Sequence, residues 1–275
     1  MKRPLGIFDS GIGGLTVLKE IIRVLPEEDT IYLGDTARVP YGTKSPDTVI
    51  RYSLENARFL LKFEIKALVV ACNTASAYAL QRLSGEIAVP VIGVIMPGVK
   101  KAVEVTRNKK IGIIGTDGTV RSNAYTNAIK ALAPDMSVFS KACPLFVPLA
   151  EEGWIDNEIA FLTARDYLSE LRDKEIDTLV LGCTHYPLLR NVIAQVIGQE
   201  VSLIDSGQET AAEISKVLKE RNLLDSNPHT EPSRKFFVTD SPERFIQVSK
   251  KFLGTTLDKV EKVDMMQYNI HNPAV

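Results

Sequence analysis

Short, continuous apolar runs recur along this 275-residue chain, separated by amphipathic stretches. Two of the clearest runs, 67–71 and 178–182, each lead directly into a cysteine, Cys72 or Cys183. Strands that are apolar on both faces are typical of parallel sheets covered by helices on each side. The pattern therefore predicts an α/β fold with mostly parallel sheets flanked by helices.

The predicted strands and helices alternate along almost the whole chain. Strands are predicted over 5–8, 31–34, 67–71, 91–95, 111–115, 178–182, 201–205 and 236–239, with weaker signals at 138–140 and 260–263. Helices are predicted near 14–24, 46–63, 75–84, 97–107, 119–132, 158–173, 187–197, 208–221 and 242–252. Segment 225–233, which contains two prolines, is predicted to be a loop, and 272–275 a loose tail.

The sequence also contains an internal repeat. Segment 5–11 (LGIFDSG) resembles segment 111–117 (IGIIGTD), and the context of Cys72 recurs around Cys183. Two α/β halves related by approximate symmetry would face each other across a cleft. Ligands of open parallel sheets bind at the carboxyl ends of the strands, where all four segments fall. The alternative explanation is that any two α/β units look alike at this level.

Composition excludes several classes of protein. The chain has 33 basic and 34 acidic residues, and this balance favours neither nucleic acid nor an anionic membrane as a partner. No apolar run approaches the ~20 residues of a transmembrane helix, and the few residues before the first strand are too short for a secretory signal. Three cysteines make no disulfide framework and fit a reducing compartment. We therefore expect a soluble cytoplasmic protein.

Cys72 and Cys183 are the strongest candidates for chemistry. An ordinary cysteine has a pKa of ~8.5, and a helix amino terminus immediately after it would favour the thiolate. Asn73, Thr74 and Thr184 could cap the following helices or hold an anionic ligand. A single buried cysteine is often a small hydrophobic residue, but two matched ones favour a function.

Two other uses of the cysteines fit the sequence less well. A zinc site would need a fourth ligand besides Cys72, Cys183 and His185, and no C-x-x-C or H-x-x-x-H spacing occurs. A hydrolase with one nucleophile would pair one cysteine with His185 and leave the other unexplained. Cys143 has no comparable context and is predicted to be structural. We therefore expect no metal.

Polar residues at other strand ends and loops are weaker candidates. Asp9 ends the first strand, where it could orient a base or bind an ammonium group, although helix capping explains it equally well. The glycines after it match neither a dinucleotide-binding nor a Walker motif. Backbone amides around Tyr41 and Gly42 could hold a carboxylate. Glu151 is predicted to precede a helix that begins near Asn157, where most acidic residues are solvated or cap the helix.

Taken together, these segments closely resemble the glutamate racemase family, within the aspartate/glutamate racemase superfamily. The motifs follow the family's order and spacing and span most of the chain: 8–15 (FDSGIGGL), 34–35 (GD), 40–42 (PYG), 71–75 (ACNTA), 148–153 (PLAEEG) and 182–187 (GCTHYP). The resemblance implies cofactor-independent interconversion of L- and D-glutamate, which supplies D-glutamate for bacterial peptidoglycan. It also implies a homodimer.

The resemblance further implies a role for each motif residue. Cys72 and Cys183 would be the two acid/base groups, supported by Asp9 and His185 respectively, with Glu151 near the second thiol. Contacts with the substrate are implied for Asp9, Ser10, Tyr41, Gly42, Asn73, Thr74, Thr184 and His185, with Thr116 and Thr119 as further candidates for a carboxylate.

The resemblance also implies how the chain is divided. The first domain would comprise residues 1–97 and 208–275, the second residues 98–207, and the active site would lie between them. Some family members carry an amino-terminal extension linked to activation by a cell-wall precursor. Because the first predicted strand begins almost at once, we expect that this activator does not control the protein.

The implied chemistry is consistent with the residues themselves. Inversion of a stereocentre by proton transfer needs a base on one face and an acid on the other. No lysine lies in the strand-end motifs, so a pyridoxal Schiff base has no evident anchor. Two sulfurs that each approach the α-carbon at ~3–3.5 Å would lie roughly 6–7 Å apart, too far for a disulfide. Racemisation of aspartate or a hydantoin, and amino-acid binding without catalysis, remain alternatives.

Overall fold

The computed structural model describes residues 3–225 and 231–268, which form two parallel β-sheets flanked by helices. His229, His271, the predicted tail and part of the predicted loop at 225–233 lie outside these residues. The strands are β1 (Leu5–Asp9), β2 (Thr30–Gly34), β3 (Ala67–Val70), β4 (Val91–Gly93), β5 (Lys110–Gly115), β6 (Ser137–Ala142), β7 (Thr178–Gly182), β8 (Ser202–Asp205), β9 (Arg234–Val238) and β10 (Glu261–Lys262).

The helices lie between these strands, as the amphipathic pattern predicts. They are α1 (Leu15–Val24), α2 (Pro46–Leu61), α3 (Asn73–Glu86), α4 (Ile95–Val105), α5 (Asp117–Arg121), α6 (Ala124–Leu132), α7 (Phe146–Glu152), α8 (Glu158–Arg172), α9 (Arg190–Ile197), α10 (Ser206–Glu220) and α11 (Pro242–Leu253). Short 3-10 helices are formed by Tyr41–Thr43, Tyr186–Leu189 and Met265–Tyr268.

The two sheets share one strand order. The first sheet runs β10-β9-β2-β1-β3-β4 and the second runs β6-β5-β7-β8, and all neighbouring strands are parallel. The series β2-β1-β3-β4 therefore matches β6-β5-β7-β8 strand for strand. This equivalence pairs β1 with β5 and β3 with β7, as the sequence repeat predicts. All ten predicted strands are present, and the predicted fold class is confirmed.

We call the first sheet with its helices the first half of the molecule, and the second sheet with its helices the second half. The chain passes between them through α4 and α10, which pack together where Gly98 lies against Ser206. The predicted domain boundaries, 97/98 and 207/208, fall inside these two helices, and the division into domains stays a prediction.

The buried strands supply much of the core. Every residue of β1, β3 and β7 is buried, because helices cover both faces of each sheet. Burying a large apolar side chain stabilises the fold by about 1.5–3 kcal/mol. The carboxyl ends of these three strands are therefore held on a rigid framework.

The helices depart from the prediction in two places. The helix predicted over 119–132 is divided into α5 and α6, because Asn123 between them has a left-handed backbone (φ 53°), which asparagine tolerates better than most residues. The sequence analysis also missed α7, a short helix with Pro148 in its first turn, where proline is tolerated. Glu151 therefore lies within α7, and the helix predicted to follow it near Asn157 is present as α8, with Asn157 as its N-cap.

Candidate active site

The two matched cysteines lie just beyond β3 and β7, at the carboxyl ends of strands in different sheets. Both side chains are almost fully shielded, with Cys72 5% and Cys183 6% exposed. The halves touch at this level, because a Cβ atom on Gly13 would come within 2.2 Å of Thr184 Oγ1 and 2.5 Å of the His185 ring. Only a glycine allows the first strand-end turn to approach the second half so closely.

A second contact joins the halves beside Cys72. Thr74 Oγ1 lies 2.9 Å from Thr116 Oγ1 and 3.1 Å from Thr119 Oγ1, which places three hydroxyl groups together across the junction. A Cβ atom on Gly42 would lie 2.6 Å from Thr116 Cβ, so the 41–43 turn also packs against the second half. These residues, which the sequence places far apart, therefore meet in one polar cluster.

Cys72 is held by neutral groups in the first half. Its Sγ caps α3 by accepting a hydrogen bond from Ala75 N at 3.5 Å, and it donates to Ser10 Oγ at 3.6 Å. The predicted helix after Cys72 is confirmed, but its effect on the thiol is outweighed. Burial first, and then the nearby Asp9 carboxylate, raise the pKa of Cys72 to about 12. Cys72 is therefore a protonated thiol at neutral pH.

Asp9 lies fully buried at the end of β1. Its Oδ2 accepts a hydrogen bond from Gly11 N at 2.9 Å. Its Oδ1 has no hydrogen-bond partner within residues 3–225 and 231–268. Burial raises the pKa of Asp9, and the charge of His185 opposes this effect only in part. One carboxylate oxygen is thus available to accept a hydrogen bond from a ligand.

Cys183 has charged neighbours in the second half. Its Sγ lies 3.8 Å from His185 Nδ1, and His185 Nε2 lies 3.1 Å from Glu151 Oε1. Burial lowers the pKa of His185, but contacts with Cys183 and Glu151 outweigh this and raise it to about 10. Burial also raises the pKa of Glu151, yet its hydrogen bond to His185 holds the net value below the usual range. His185 therefore carries a positive charge at neutral pH.

Cys183 does not cap the helical segment that follows it. The 3-10 helix Tyr186–Leu189 comes first, and α9 begins only at Arg190. The helix predicted near 187–197 is therefore present, but only Cys72 caps the helix that follows it. The polar group beside the Cys183 sulfur is therefore the His185 ring and not a helix amino terminus.

Thr184 lies between the halves. Its carbonyl oxygen accepts a hydrogen bond from Thr16 Oγ1 at 2.8 Å, and its own hydroxyl lies 3.5 Å from His185 Nδ1. Thr184 therefore fixes the turn that carries Cys183 against α1 of the first half.

Some of the polar groups of Tyr41 and Asn73 already form hydrogen bonds within the protein and are not available to a ligand. The Tyr41 hydroxyl donates to Asp35 and accepts a hydrogen bond from Asn56 Nδ2 at 3.0 Å. Both hydrogen bonds of the Tyr41 hydroxyl are therefore formed within the protein. Only the backbone at Tyr41 and Gly42 remains to bind a carboxylate. The Asn73 amide oxygen accepts a hydrogen bond from the Tyr125 hydroxyl at 2.7 Å.

Sequence reasoning missed two residues that contact the predicted site residues. Tyr125 lies in α6 and Asn56 in α2, on buried helix faces where such side chains look like ordinary core. Asn56 is an amide in a buried apolar face, and that mismatch is the signal that could have pointed to it. Tyr125 carries no comparable signal in the sequence.

Two of the cavities formed by the described residues differ in their position relative to the site. One of about 260 Å³ is lined in part by Gly11 and Glu151, which contact Asp9 and His185 respectively, and by Val39 and Arg244. A larger cavity of about 520 Å³, between Arg51, Tyr52 and Lys262, contains none of the predicted site residues. The smaller cavity therefore meets the site on its Glu151 side.

The described residues contain neither a metal-binding cluster nor a membrane-spanning helix. Within 3–225 and 231–268, no group of three or more histidine, cysteine, aspartate or glutamate residues is arranged to hold a metal ion. No helix in that part of the chain is long and apolar enough to cross a membrane.

The fold and the site define a two-sheet α/β protein with a pair of buried thiols at the junction of its halves. A family model described as Asp/Glu/Hydantoin racemase matches residues 7–214, and the chain belongs to this family.

Relatives support this assignment over nearly the full length. The chain is 59% identical over 264 residues to the glutamate racemase of Geobacter metallireducens, covering 96% of this chain and 97% of that protein. A glutamate racemase isoform from Bacillus anthracis has a TM-score of 0.92 at 43% identity, covering 95% of this chain and 97% of that one. The glutamate racemase of Francisella tularensis in complex with D-glutamate has a TM-score of 0.91 at 41% identity, covering 97% of this chain and 99% of that one.

Proposed function

We propose that this chain interconverts L- and D-glutamate without a cofactor, using Cys72 and Cys183 as its two acid/base groups. Membership of the Asp/Glu/Hydantoin racemase family and the high similarity to glutamate racemases support the substrate and the reaction. The observation that carries the proposal is the contrast between the thiols. Cys72 is protonated and contacts Ser10, whereas the Cys183 sulfur lies 3.8 Å from His185 Nδ1 in the other half. On this contrast we assign the acid to Cys72 and the base to Cys183.

The proposed reaction is a proton transfer through the α-carbon. The Cys183 thiolate removes the α-proton from one face, and the Cys72 thiol delivers a proton to the opposite face, which inverts the stereocentre. The products are a Cys183 thiol and a Cys72 thiolate, so the reverse reaction uses the same groups with exchanged roles. The carbanion-like transition state is stabilised by hydrogen bonds and by exclusion of water, and the near-complete burial of both thiols fits that requirement.

The substrate's own charges match the polar groups left open around the thiols. Asp9 Oδ1 is a free acceptor suited to the α-ammonium group, with Ser10 beside it. Asn73 Nδ2 is a buried donor suited to a carboxylate oxygen. Further carboxylate contacts are proposed for the Thr74, Thr116, Thr119 and Thr184 hydroxyls and the backbone of Tyr41 and Gly42.

A deuterium experiment tests the proposal directly. The protein is incubated with L-glutamate in deuterated water, and both chirality and the label at the α-carbon are followed. We expect D-glutamate to form with deuterium at that carbon. L-Aspartate and a hydantoin are run in parallel, because the family description covers them as well. If deuterium enters one of these compounds and not glutamate, that compound is the substrate. If the α-hydrogen is retained in all three, the chain is a binding protein and not a racemase.

The proposed cellular role follows from the product. We propose that the chain supplies D-glutamate for peptidoglycan in the cytoplasm and acts as a homodimer. A bacterium that lacks its own D-glutamate source should grow without added D-glutamate when it expresses this chain. Sedimentation of the purified protein at several concentrations tests the dimer, and a monomer at all of them would refute it.

A further inference from the structure

Tyr125 connects the two halves at the level of the thiols. It belongs to α6 in the second half, its side chain is 2% exposed, and its hydroxyl donates to Asn73 Oδ1 in the first half at 2.7 Å. Burial raises the pKa of Tyr125 above its usual range, so the hydroxyl remains a proton donor at any pH where the protein works.

The hydrogen bond determines which way the Asn73 amide faces. Because the tyrosine hydroxyl donates, the accepting atom of the amide is its oxygen, and the other atom is the donor Nδ2. That nitrogen is buried and has no hydrogen-bond partner in the described part of the chain. Leaving a buried donor unpaired is unfavourable, so the arrangement suits a ligand that brings an acceptor.

The ring of Tyr125 also contacts the strand that carries the other thiol. A Cβ atom on Gly182 would lie 3.1 Å from Tyr125 Cε2, so the ring packs against the end of β7. Gly182 directly precedes Cys183, and Asn73 directly follows Cys72. A single side chain therefore contacts the neighbours of both cysteines without reaching either sulfur within hydrogen-bond distance.

We propose that Tyr125 is a positioning residue that fixes the Asn73 amide so that Nδ2 donates to a carboxylate oxygen of the substrate. This inference rests on the proposed function and adds to it a residue that acts through Asn73. A substrate carboxylate is already charged when it binds, so most of this contact is formed in the bound substrate. Its loss therefore raises KM more than it lowers kcat.

Tyr78 provides a matched control. Its hydroxyl, on α3, also crosses the junction and donates to Gly118 O at 2.8 Å. Replacing either tyrosine by phenylalanine removes one hydrogen bond between the halves. The acceptor of Tyr78 is a backbone carbonyl, whereas the acceptor of Tyr125 is a side-chain amide that can reorient. Only Tyr125→Phe therefore releases a group that faces the substrate.

The experiment measures steady-state kinetics with L- and D-glutamate for the wild type, Tyr125→Phe, Tyr78→Phe, Asn73→Ala and the double variant Tyr125→Phe/Asn73→Ala. We expect Tyr125→Phe to raise KM about tenfold, as for a lost hydrogen bond to a charged group, with kcat changed less than about threefold. Tyr78→Phe should change KM less than about twofold. In the Asn73→Ala background, Tyr125→Phe should add less than about twofold, because the amide it acts through is gone.

Two results with Tyr125→Phe would overturn the inference. One is an unchanged KM in Tyr125→Phe. The other is a full tenfold rise in KM when Tyr125→Phe is added to Asn73→Ala, since an effect that does not need the amide would reflect the packing of α6 alone. If Tyr125→Phe does not fold, the KM of Asn73→Asp tests the orientation of the Asn73 amide instead. The Tyr125 hydroxyl would still hold one carboxylate oxygen and turn the other towards the substrate carboxylate. KM should then exceed that of Asn73→Ala, and an equal or lower KM refutes the orientation.

The same measurements separate this inference from the proposed function. A wild type that does not racemise glutamate counts against the proposed function and removes the inference with it. A wild type that racemises glutamate, with a Tyr125→Phe variant of normal KM, counts against the role of Tyr125 alone.

Discussion

The surroundings of Cys72 and Cys183 differ more than their matched strand positions suggest. Cys72 caps a helix, contacts a hydroxyl and a backbone amide, and lies near the Asp9 carboxylate. Cys183 caps no helix and contacts His185, which Glu151 supports from the other side. The repeated strands deliver the same side chain to equivalent places, but the groups around the two sulfurs are different.

This difference distinguishes the two thiols before any substrate binds. A racemase needs one protonated and one ionised thiol, and a fully symmetric site would not decide which is which. Here burial and the Asp9 carboxylate keep Cys72 protonated. In the proposed mechanism Cys72 is therefore the first acid, Cys183 is left as the first base, and each turnover exchanges these roles.

The largest effect is expected from removing either thiol. Cys72→Ser and Cys183→Ser should each lower kcat/KM by at least about 10³-fold, because a serine hydroxyl replaces neither the acid nor the base. The assay follows the change in optical rotation of L-glutamate. Cys143→Ser is the matched control, since Cys143 is also buried but its Sγ donates to the Lys141 carbonyl at 3.7 Å. Full activity in either of the first two variants would end the two-base mechanism.

Removing the charge beside Cys183 should have the next largest effect. His185→Asn keeps a polar group near the thiol but cannot carry a positive charge, and kcat/KM should fall about 10²-fold. Enantiomers have an equilibrium constant of unity, so the fall in kcat/KM must be the same from L- and from D-glutamate. The separate kcat values are free to change unequally, and stopped-time chiral chromatography measures both. An activity loss below about threefold would show that the imidazolium is not needed.

Neutralising Glu151 tests the support behind His185. The Glu151 carboxylate helps to raise the pKa of His185 to about 10, so Glu151→Gln lets the imidazolium lose its proton at lower pH. The alkaline limb of the kcat/KM profile should therefore move to lower pH, with about a tenfold loss at neutral pH.

The neighbouring Glu152 is the control for this change. Its carboxylate lies 3.8 Å from Arg244, and its side chain is 64% exposed, so Glu152→Gln should leave the pH profile unchanged. Identical profiles for wild type and Glu151→Gln would show that the Glu151–His185 contact does not determine the charge of His185.

The smallest effect concerns the chemical reactivity of the two thiols. Asp9 raises the pKa of Cys72, so Asp9→Asn should increase the rate at which iodoacetamide alkylates Cys72 at pH 8 by about fivefold. Asparagine can still accept the hydrogen bond from Gly11 N, so the turn is kept. Peptide mass spectrometry resolves each cysteine, with Cys143 as the internal reference. An unchanged rate would mean that burial alone keeps Cys72 protonated.

The sequence predicted the fold well because its signal was local. Continuous apolar strands identified the parallel sheets, and the repeat between 5–11 and 111–117 anticipated two sheets with the same strand order. It missed α7 because a seven-residue helix containing a proline has too few turns to show a period. It also joined α5 to α6, because the break depends on the backbone of the single residue Asn123.

The sequence alone determined the strands, the repeat and the residue types that stand at each strand end, because these depend on neighbours within a few positions. Only the tertiary structure decided how the two thiols differ. The contacts that do so join residues far apart in the chain: Glu151 with His185, Asp9 with Cys72, and Tyr125 with Asn73. Protonation and hydrogen-bond direction depend on burial and on neighbouring charge, and both arise only when the halves pack together.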